Sequence, residues 1–354
     1  MSELIVNTDN RATIRWKLLT GASALALASY LSSAGMAHAA DSGRPVIWFE
    51  ADGQFSLLSA DNEAFLPSFV LNSPFGDAAK AARKKPPSEW DEGAKLSFQP
   101  PDSDWIMSLG VKYGKSSRHE VNYQQTKHRA GPYSAYFSAY QDSKSSSGEK
   151  HLILDFQAGK DFGLGMFGHD VNSVVSAGVR YAQFDSRNDV NIKSITAAVP
   201  KSYYIFHGAL EAKREFHGVG PSLSWDASAD LAGNLTDGSL AFDWGVNGAL
   251  LFGRQRVKGH YEKTKLYQSS YAYSGPPQTV TYRTIASPRR SKNVTVPNLG
   301  AYAALSLRYT NAKVSLGYRA DMFFGAIDGG IATAKKENRS FNGPYASVSI
   351  GIGD

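Results

Sequence analysis

The chain has 354 residues, 38 Lys and Arg against 32 Asp and Glu, a net charge of +6 and no cysteine. Without cysteine there is no disulfide staple and no thiolate metal site, so stability has to come from a large core or a closed sheet. The 33 Gly, 18 Tyr and 18 Phe point to a glycine- and aromatic-rich β protein and away from an α/β enzyme.

At the N-terminus, Arg11, Arg15 and Lys17 precede an apolar run from Leu18 to Leu31, followed by SSAGMAHAA. A basic head, an apolar middle and an Ala-x-Ala end make a secretory signal peptide. Ala37 and Ala39 satisfy the small-x-small rule, so cleavage is expected after Ala39. The run is short for a membrane span and is broken by Gly21. Residues 40–354 are then expected to form a single domain with a net charge of +5, because residues 1–39 carry three basic and two acidic groups. For an exported chain this modest surplus argues against nucleic-acid binding.

The first expected strand is Val46 to Leu57, with Ile47, Phe49, Ala51, Phe55 and Leu57 on one face. Residues 58–91 hold Pro67, Pro74, Pro86 and Pro87 and read as a long loop, in which DAAKAARKK suits a short helix. A short second strand, Gly93 to Gln99, leads through a Pro-Asp turn into a third with Trp105, Met107, Leu109, Val111 and Tyr113 outward. Residues 115–149 are polar and read as a second long loop. The fourth strand carries Leu152, Leu154 and Phe156, and the fifth Val175, Ala177, Val179 and Tyr181. Residues 186–213 read as a third long loop. In the sixth strand Val219, Leu223 and Trp225 alternate with Ser222, Ser224 and Asp226, and Pro221 is expected near a rim or at a bulge.

The seventh strand, Ser239 to Val257, is the most telling. Leu240, Phe242, Trp244, Val246, Gly248, Leu250 and Phe252 fall on one face, and Ala241, Asp243, Gly245, Asn247, Ala249 and Gly253 on the other. Leu251 is the one misfit. Thirteen such residues reach about 40 Å, enough for a tilted path across a bilayer. Residues 259–296 read as a fourth long loop. The eighth and ninth strands, Leu299–Tyr309 and Val314–Phe324, meet at a Thr310-Asn311 turn. A shorter loop, 326–340, precedes a tenth around Ala346–Ile352.

The connections alternate between long and short. Short periplasmic turns, long external loops, an even strand count and both ends on one side describe a transmembrane antiparallel up-and-down β-barrel of ten strands, with eight to twelve allowed. Closure is required, since hydrocarbon offers no partner for an open sheet edge. Trp105, Tyr113, Tyr181, Trp225, Tyr309 and Phe324 suit interfacial aromatic belts.

Three segments carry a family likeness: SAGVRYAQF (Ser176–Phe184), FHGVGPSLSW (Phe216–Trp225) and GALLFGR (Gly248–Arg254). They resemble the repeated signatures of the Legionella-type major outer-membrane protein family, over roughly residues 150–325. The resemblance implies a pore-forming, porin-like barrel in the Gram-negative outer membrane, with surface-exposed loops. The chain departs from the aromatic terminal residue that many such barrels present to the assembly machinery; it ends SIGIGD.

The inward face is expected to carry Glu50, Asp52, Lys95, Lys112, Asp155, Asp161, Arg180, Asp226, Asp230, Asp243, Asn247, Arg308, Arg319 and Asp321. One reading makes these the lining of a narrow passage for ions or small hydrophilic solutes, since rings of charge set ion preference. The other pairs them across the lumen and plugs it, because a ten-stranded barrel is little wider than the eight-stranded kind filled by its own side chains. The plugged barrel would be structural or adhesive, with binding in its loops. An outer-membrane hydrolase is the third class. It would need a histidine beside a carboxylate, for which His217 with Asp185, or His207 with Asp189, are the nearest candidates. No catalytic motif surrounds them, and no enzyme activity is expected. No metal-ligand spacing or phosphate-cradling glycine motif is present, so no cofactor is expected. Expected partners are membrane lipid, lipopolysaccharide and the barrel assembly machinery. Lipopolysaccharide phosphates would meet Lys80, Arg83, Lys84 and Lys85 in the first loop, and Lys263, Lys265, Arg283, Arg289, Arg290 and Lys292 in the fourth. The sequence leaves the oligomeric state open.

Overall fold

The computed structural model describes residues 47–59, 88–100, 103–116, 119–130, 136–162, 171–198, 202–269, 278–330 and 334–352. The expected signal peptide with Ala37 and Ala39, the short helix expected near residues 77–85 and the basic cluster Lys80, Arg83, Lys84 and Lys85 lie outside them. The described residues form strands and no helix long and apolar enough to cross a membrane. In chain order the strands are β1 (Ile47–Ser59), β2 (Glu89–Phe98), β3 (Trp105–Ser116), β4 (His119–Ala130), β5 (Tyr136–Asp161) and β6 (Val171–Ala198). The second half comprises β7 (Ser202–Asn234), β8 (Gly238–Ser269), β9 (Gln278–Ala286), β10 (Arg289–Tyr309), β11 (Ala312–Asp328) and β12 (Lys336–Ile352).

Ten strands close a ring in the order β1-β2-β3-β5-β6-β7-β8-β10-β11-β12 and back to β1. Every pairing is antiparallel, and the first and last strands meet where Ile47 lies opposite Ile352. The expected ten-stranded up-and-down barrel is therefore the architecture that forms. β4 and β9 stand outside the ring, yet each prolongs a ring strand. β3 pairs with the lower part of β5 and β4 with its upper part, so β3 and β4 follow one path interrupted between Ser116 and His119. Likewise β9 and β10 both run along β8 and join at Ser287 and Pro288, where the Gly259 N–H donates to the Pro288 carbonyl at 2.9 Å.

Side-chain alternation sets the two faces of the wall. Leu109, Phe156, Leu223, Phe252 and Leu316 all project outward, and Leu316 is 68% exposed. A continuous apolar band of this kind is what hydrocarbon covers. Trp105 and Tyr309 lie near its periplasmic edge, and Tyr113 and Phe324 near its outer edge; all four are exposed. The β7–β8 and β10–β11 connections are tight, three and two residues long. At the β7–β8 turn the Asn234 side-chain oxygen accepts from the amides of Thr236 and Asp237 at 2.9 and 2.8 Å. Gly233 and Gly238 flank that turn with φ of 90° and 114°, which a side chain rarely tolerates.

Much of what reads as long loop is strand. β6 has 28 residues, β7 33 and β8 32, against about 9–11 for a membrane crossing. Residues 119–130, 136–149, 186–198, 202–213, 259–269 and 278–286 continue the ladder outside the membrane as a six-stranded sheet, β4-β5-β6-β7-β8-β9. The 326–340 segment is likewise strand at both ends. Above the hydrocarbon the outer face meets water, so apolar alternation on that face has no reason to persist. On the other face it does persist: Val190, Ile192, Phe206, Leu210 and Ala212 form a small buried cluster.

Pro221 sits in mid-wall and not at a rim. It pairs with Val179 on one side. On the other side the β7–β8 ladder runs Val219↔Phe252 and then Ser222↔Ala249, omitting Gly220 and Pro221. The missing proline N–H thus falls where no ladder bond is made. Pro221→Ala is expected to lower stability by at most about 1 kcal/mol, through unfolded-chain entropy alone. A larger fall in the urea midpoint of the detergent-folded barrel would contradict that reading of the gap.

Candidate functional site: the barrel lumen

The inner wall carries three tiers. The lowest is wet and charged. Arg308 binds Asp243 and Ser228, Lys313 lies 2.9 Å from the other Asp243 oxygen, and Ser306 links Asp243 to Ser315. The Asp230 side chain opens to solvent at this mouth, 61% exposed and 3.7 Å from Arg308. Asp161 accepts from the Ser173 amide at 3.1 Å close by.

The middle tier is a cross-lumen network. Arg180 grips Asp155 with two hydrogen bonds, Nε to Oδ1 at 2.7 Å and Nη2 to Oδ2 at 3.0 Å. Its remaining nitrogen donates to Asn247 at 2.8 Å and to Asn298. Lys112 donates to Gln54 at 2.8 Å and to Asp321 at 3.3 Å. Arg319 donates to Asp52 at 2.8 Å and stacks 4.4 Å above the Tyr345 ring. The Tyr302 hydroxyl donates to Asp226 at 2.9 Å, and Ser349 donates to Glu50 at 3.3 Å. Lys95 faces the same space opposite Glu50 and is exposed. All fourteen charged or amide residues singled out in the sequence lie on the inner wall. Most of them are bonded to one another, and the bonds cross between strands far apart in the chain.

The upper tier is apolar and was not read from the sequence. Ile153, Ala182, Phe184, Phe216, Leu251, Val296, Phe323, Ala326, Ile327 and Phe341 form one buried cluster contributed by β5, β6, β7, β8, β10, β11 and β12. Phe184, Phe216, Leu251, Phe323, Ile327 and Phe341 are each at most 1% exposed. The Phe184 ring lies 5.8 Å from Phe216, 4.7 Å from Phe323 and 5.8 Å from Phe341. Leu251, the misfit of its strand, is thus an inward residue placed at the height of this layer. The arc left by β2 and the adjoining part of β5 is filled by polar groups: Glu89, Asp91 and His151, all buried, with the His151 ring 4.2 Å from Phe341.

Above the layer, Arg339 lies fully buried between Glu149 and Glu337, at 3.0 and 3.4 Å. Burial holds the Glu337 carboxyl above its usual range, although Arg339 and Arg214 oppose the shift. Asp328 takes 2.8 Å from Arg290 and 3.7 Å from Lys292. Burial pushes its carboxyl up, but the hydrogen bonds from Arg290 and from the Lys335 and Gly330 amides outweigh that and hold it below the usual range. Arg283 is likewise bound, 2.8 Å from Glu262. Three of the basic residues expected to face lipopolysaccharide are therefore engaged within the protein.

Both histidines singled out beside carboxylates, His217 and His207, lie on the outer face of the wall and not in the lumen. His217 and Asp185 lie on adjacent strands, opposite Gln183 and Glu215, with side chains on the outer wall. His207 pairs with Lys193, and Asp189 with Glu211, four rungs away. His207 lines a cavity of about 330 Å³ on the outer face of the extracellular sheet, with Asp142, Lys144, Lys193 and Glu262.

A closed antiparallel ring with a lipid-facing apolar band and a charged interior defines an outer-membrane β-barrel. Residues 77–352 match the model of the Legionella pneumophila major outer membrane protein precursor family, and the chain belongs to that family. Among solved structures it is similar to the outer membrane protease OmpT from Escherichia coli, at 9% identity and a TM-score of 0.35, over 87% of this chain and 94% of that one. It is also similar to LpxR from Salmonella typhimurium, at 10% identity and 0.25, over 86% and 100%. The CymD monoaromatic hydrocarbon channel follows at 8% identity and 0.23, over 88% and 90%. No curated protein matches the sequence.

Proposed function

We propose that this protein is a barrel closed to solutes at rest, whose working surface is the extracellular sheet raised above the ring. The observation that carries this reading is the apolar tier. Seven strands send buried side chains into one layer across the lumen, and hydrated ions need a continuous wet path. Most charged groups in the tiers beneath it are paired with one another, as a structural interior requires. In this reading the protein is no enzyme. It contacts outer-membrane lipid along its apolar band and lipopolysaccharide at the outer belt, and meets other molecules through the six-stranded sheet.

A second reading is favoured by the wet space below the apolar tier, where Asp230 in the lowest tier and Lys95 in the middle one remain open to solvent. Here the apolar tier is a gate in a narrow ion passage, since hydrophobic constrictions can close a pore by dewetting. Planar-bilayer recording of the purified protein separates the two. A scaffold gives a silent membrane at all voltages; a gated passage gives brief, voltage-dependent openings. Steady conductance from the unmodified barrel would overturn closure at rest.

A further inference from the structure

We propose that Glu89, Asp91 and His151 bind a divalent transition-metal ion of the zinc class inside the barrel wall. The three residues come from β2 and β5, brought to one height by β3 between them, with Glu89 opposite Ser116 and Gly114 opposite both Asp91 and His151. One nitrogen or oxygen from each lies within 4.8 Å of the others. His151 Nδ1 is 2.8 Å from Glu89 Oε1, and Nε2 is 3.8 Å from Asp91 Oδ1. The side chains of all three are at most 1% exposed.

Such a group is costly to bury. Beyond these contacts among themselves, both Glu89 oxygens, Asp91 Oδ1 and both His151 nitrogens have no hydrogen-bond partner elsewhere among the described residues. Buried carboxylates are normally paired, hydrogen-bonded or coordinated to metal. Lys112 lies 3.9 Å from Asp91 Oδ2 but is engaged by Gln54 and Asp321. Ser56 donates to Asp91 Oδ2, leaving Oδ1 for another partner. A dication beside two carboxylates and a neutral imidazole cancels the charge and satisfies one atom of each residue. Imidazole suits zinc and its neighbours, and carboxylate oxygens are accepted by the same ions. The donors are also held in place, since Ser56 hydrogen-bonds Asp91 and Phe341 backs the His151 ring.

Gly114 provides independent support. A Cβ there would collide with Asp91 Oδ1 and the His151 ring together. The wall carries no side chain at the one point where the two donors converge.

The test begins with the full chain folded into detergent with Zn2+, then passed through chelator-treated buffer and assayed for metal. The unmodified protein should retain about one ion per chain. Glu89→Gln with Asp91→Asn, and separately His151→Ala, should each lower retention at least tenfold while the folded band on unheated gels persists. Co2+ added during folding should give visible d–d bands, and X-ray absorption should show one imidazole in its shell; this measurement needs no variant to fold. Retention well below one ion per chain, equal retention by the variants, or a cobalt shell without imidazole would each overturn the site.

Discussion

A barrel carrying Phe184→Ala together with Phe341→Ala should conduct ions steadily where the parent is silent. The two rings stack across the lumen 5.8 Å apart with an interplanar angle of 18°, and Phe323 packs edge-on against both. Phe184 is the ring that contacts all the others of the layer, Phe216, Phe323 and Phe341, so removing it with Phe341 takes away two of the four rings. Each Phe→Ala change in a packed core costs about 3–5 kcal/mol, and contacting residues do not add simply. The wall itself is held by its ladders and by lipid, so the ring should survive. Charged tiers lie above and below, so water drawn into the gap would join two wet compartments. Single-channel current and retained heat-modifiable migration are the joint readout. A folded double variant that stays silent would show that the aromatic layer is not the barrier.

Replacing the buried guanidinium of Arg339 should be the most damaging single charge change. Arg339 is fully buried, and its partners Glu149 and Glu337 are nearly so. Removing one member of a buried ion pair leaves an uncompensated charge and costs about 3–5 kcal/mol. Arg339→Met is therefore expected to lower the unfolding midpoint sharply, and Glu149→Gln in the same chain to restore part of it. The loss should depend on pH. Glu337 already binds its proton more tightly in the folded state than in the unfolded chain, because burial raises its pKa. Its contribution is full below the ordinary carboxylate range and is lost as pH rises through the raised value. Without Arg339 the pKa rises further, so the variant should be least stable at neutral pH and recover in mild acid. A loss independent of pH between the two conditions would assign the damage to packing instead.

The membrane part of the molecule was legible because lipid imposes a rule on every second residue. In β8, Leu240, Phe242, Val246, Leu250 and Phe252 are all exposed on the outer face, as their spacing requires. Two regions were not legible, for different reasons. Above the membrane the outer face is wet, and stretches such as RNDVNIKS lose the apolar signature while keeping the ladder. Inside the lumen, apolar residues carry no period that marks them. Leu251 stands out only as a fault in its strand, and nothing in the sequence separates Phe216 and Phe323 from the aromatics of the outer face. The Glu89–Asp91–His151 group was invisible for a third reason. Sixty residues separate Asp91 from His151, the stretch holding Glu89 and Asp91 reads as loop, and only strand register brings the three together.

β6 ends at Ala198 and β7 begins at Ser202, at the far end of the extracellular sheet. From the Gln183–His217 rung, just above the apolar band, to this point is about 50 Å of ladder path. Mutations at the tip therefore act on a lever that does not carry the lumen network or the lipid seal. This makes the outer end of the sheet the place where an added peptide would be borne outward without disturbing ring closure. Variation between related strains should concentrate there, while the inner wall stays under the constraint of its own cross-lumen pairs.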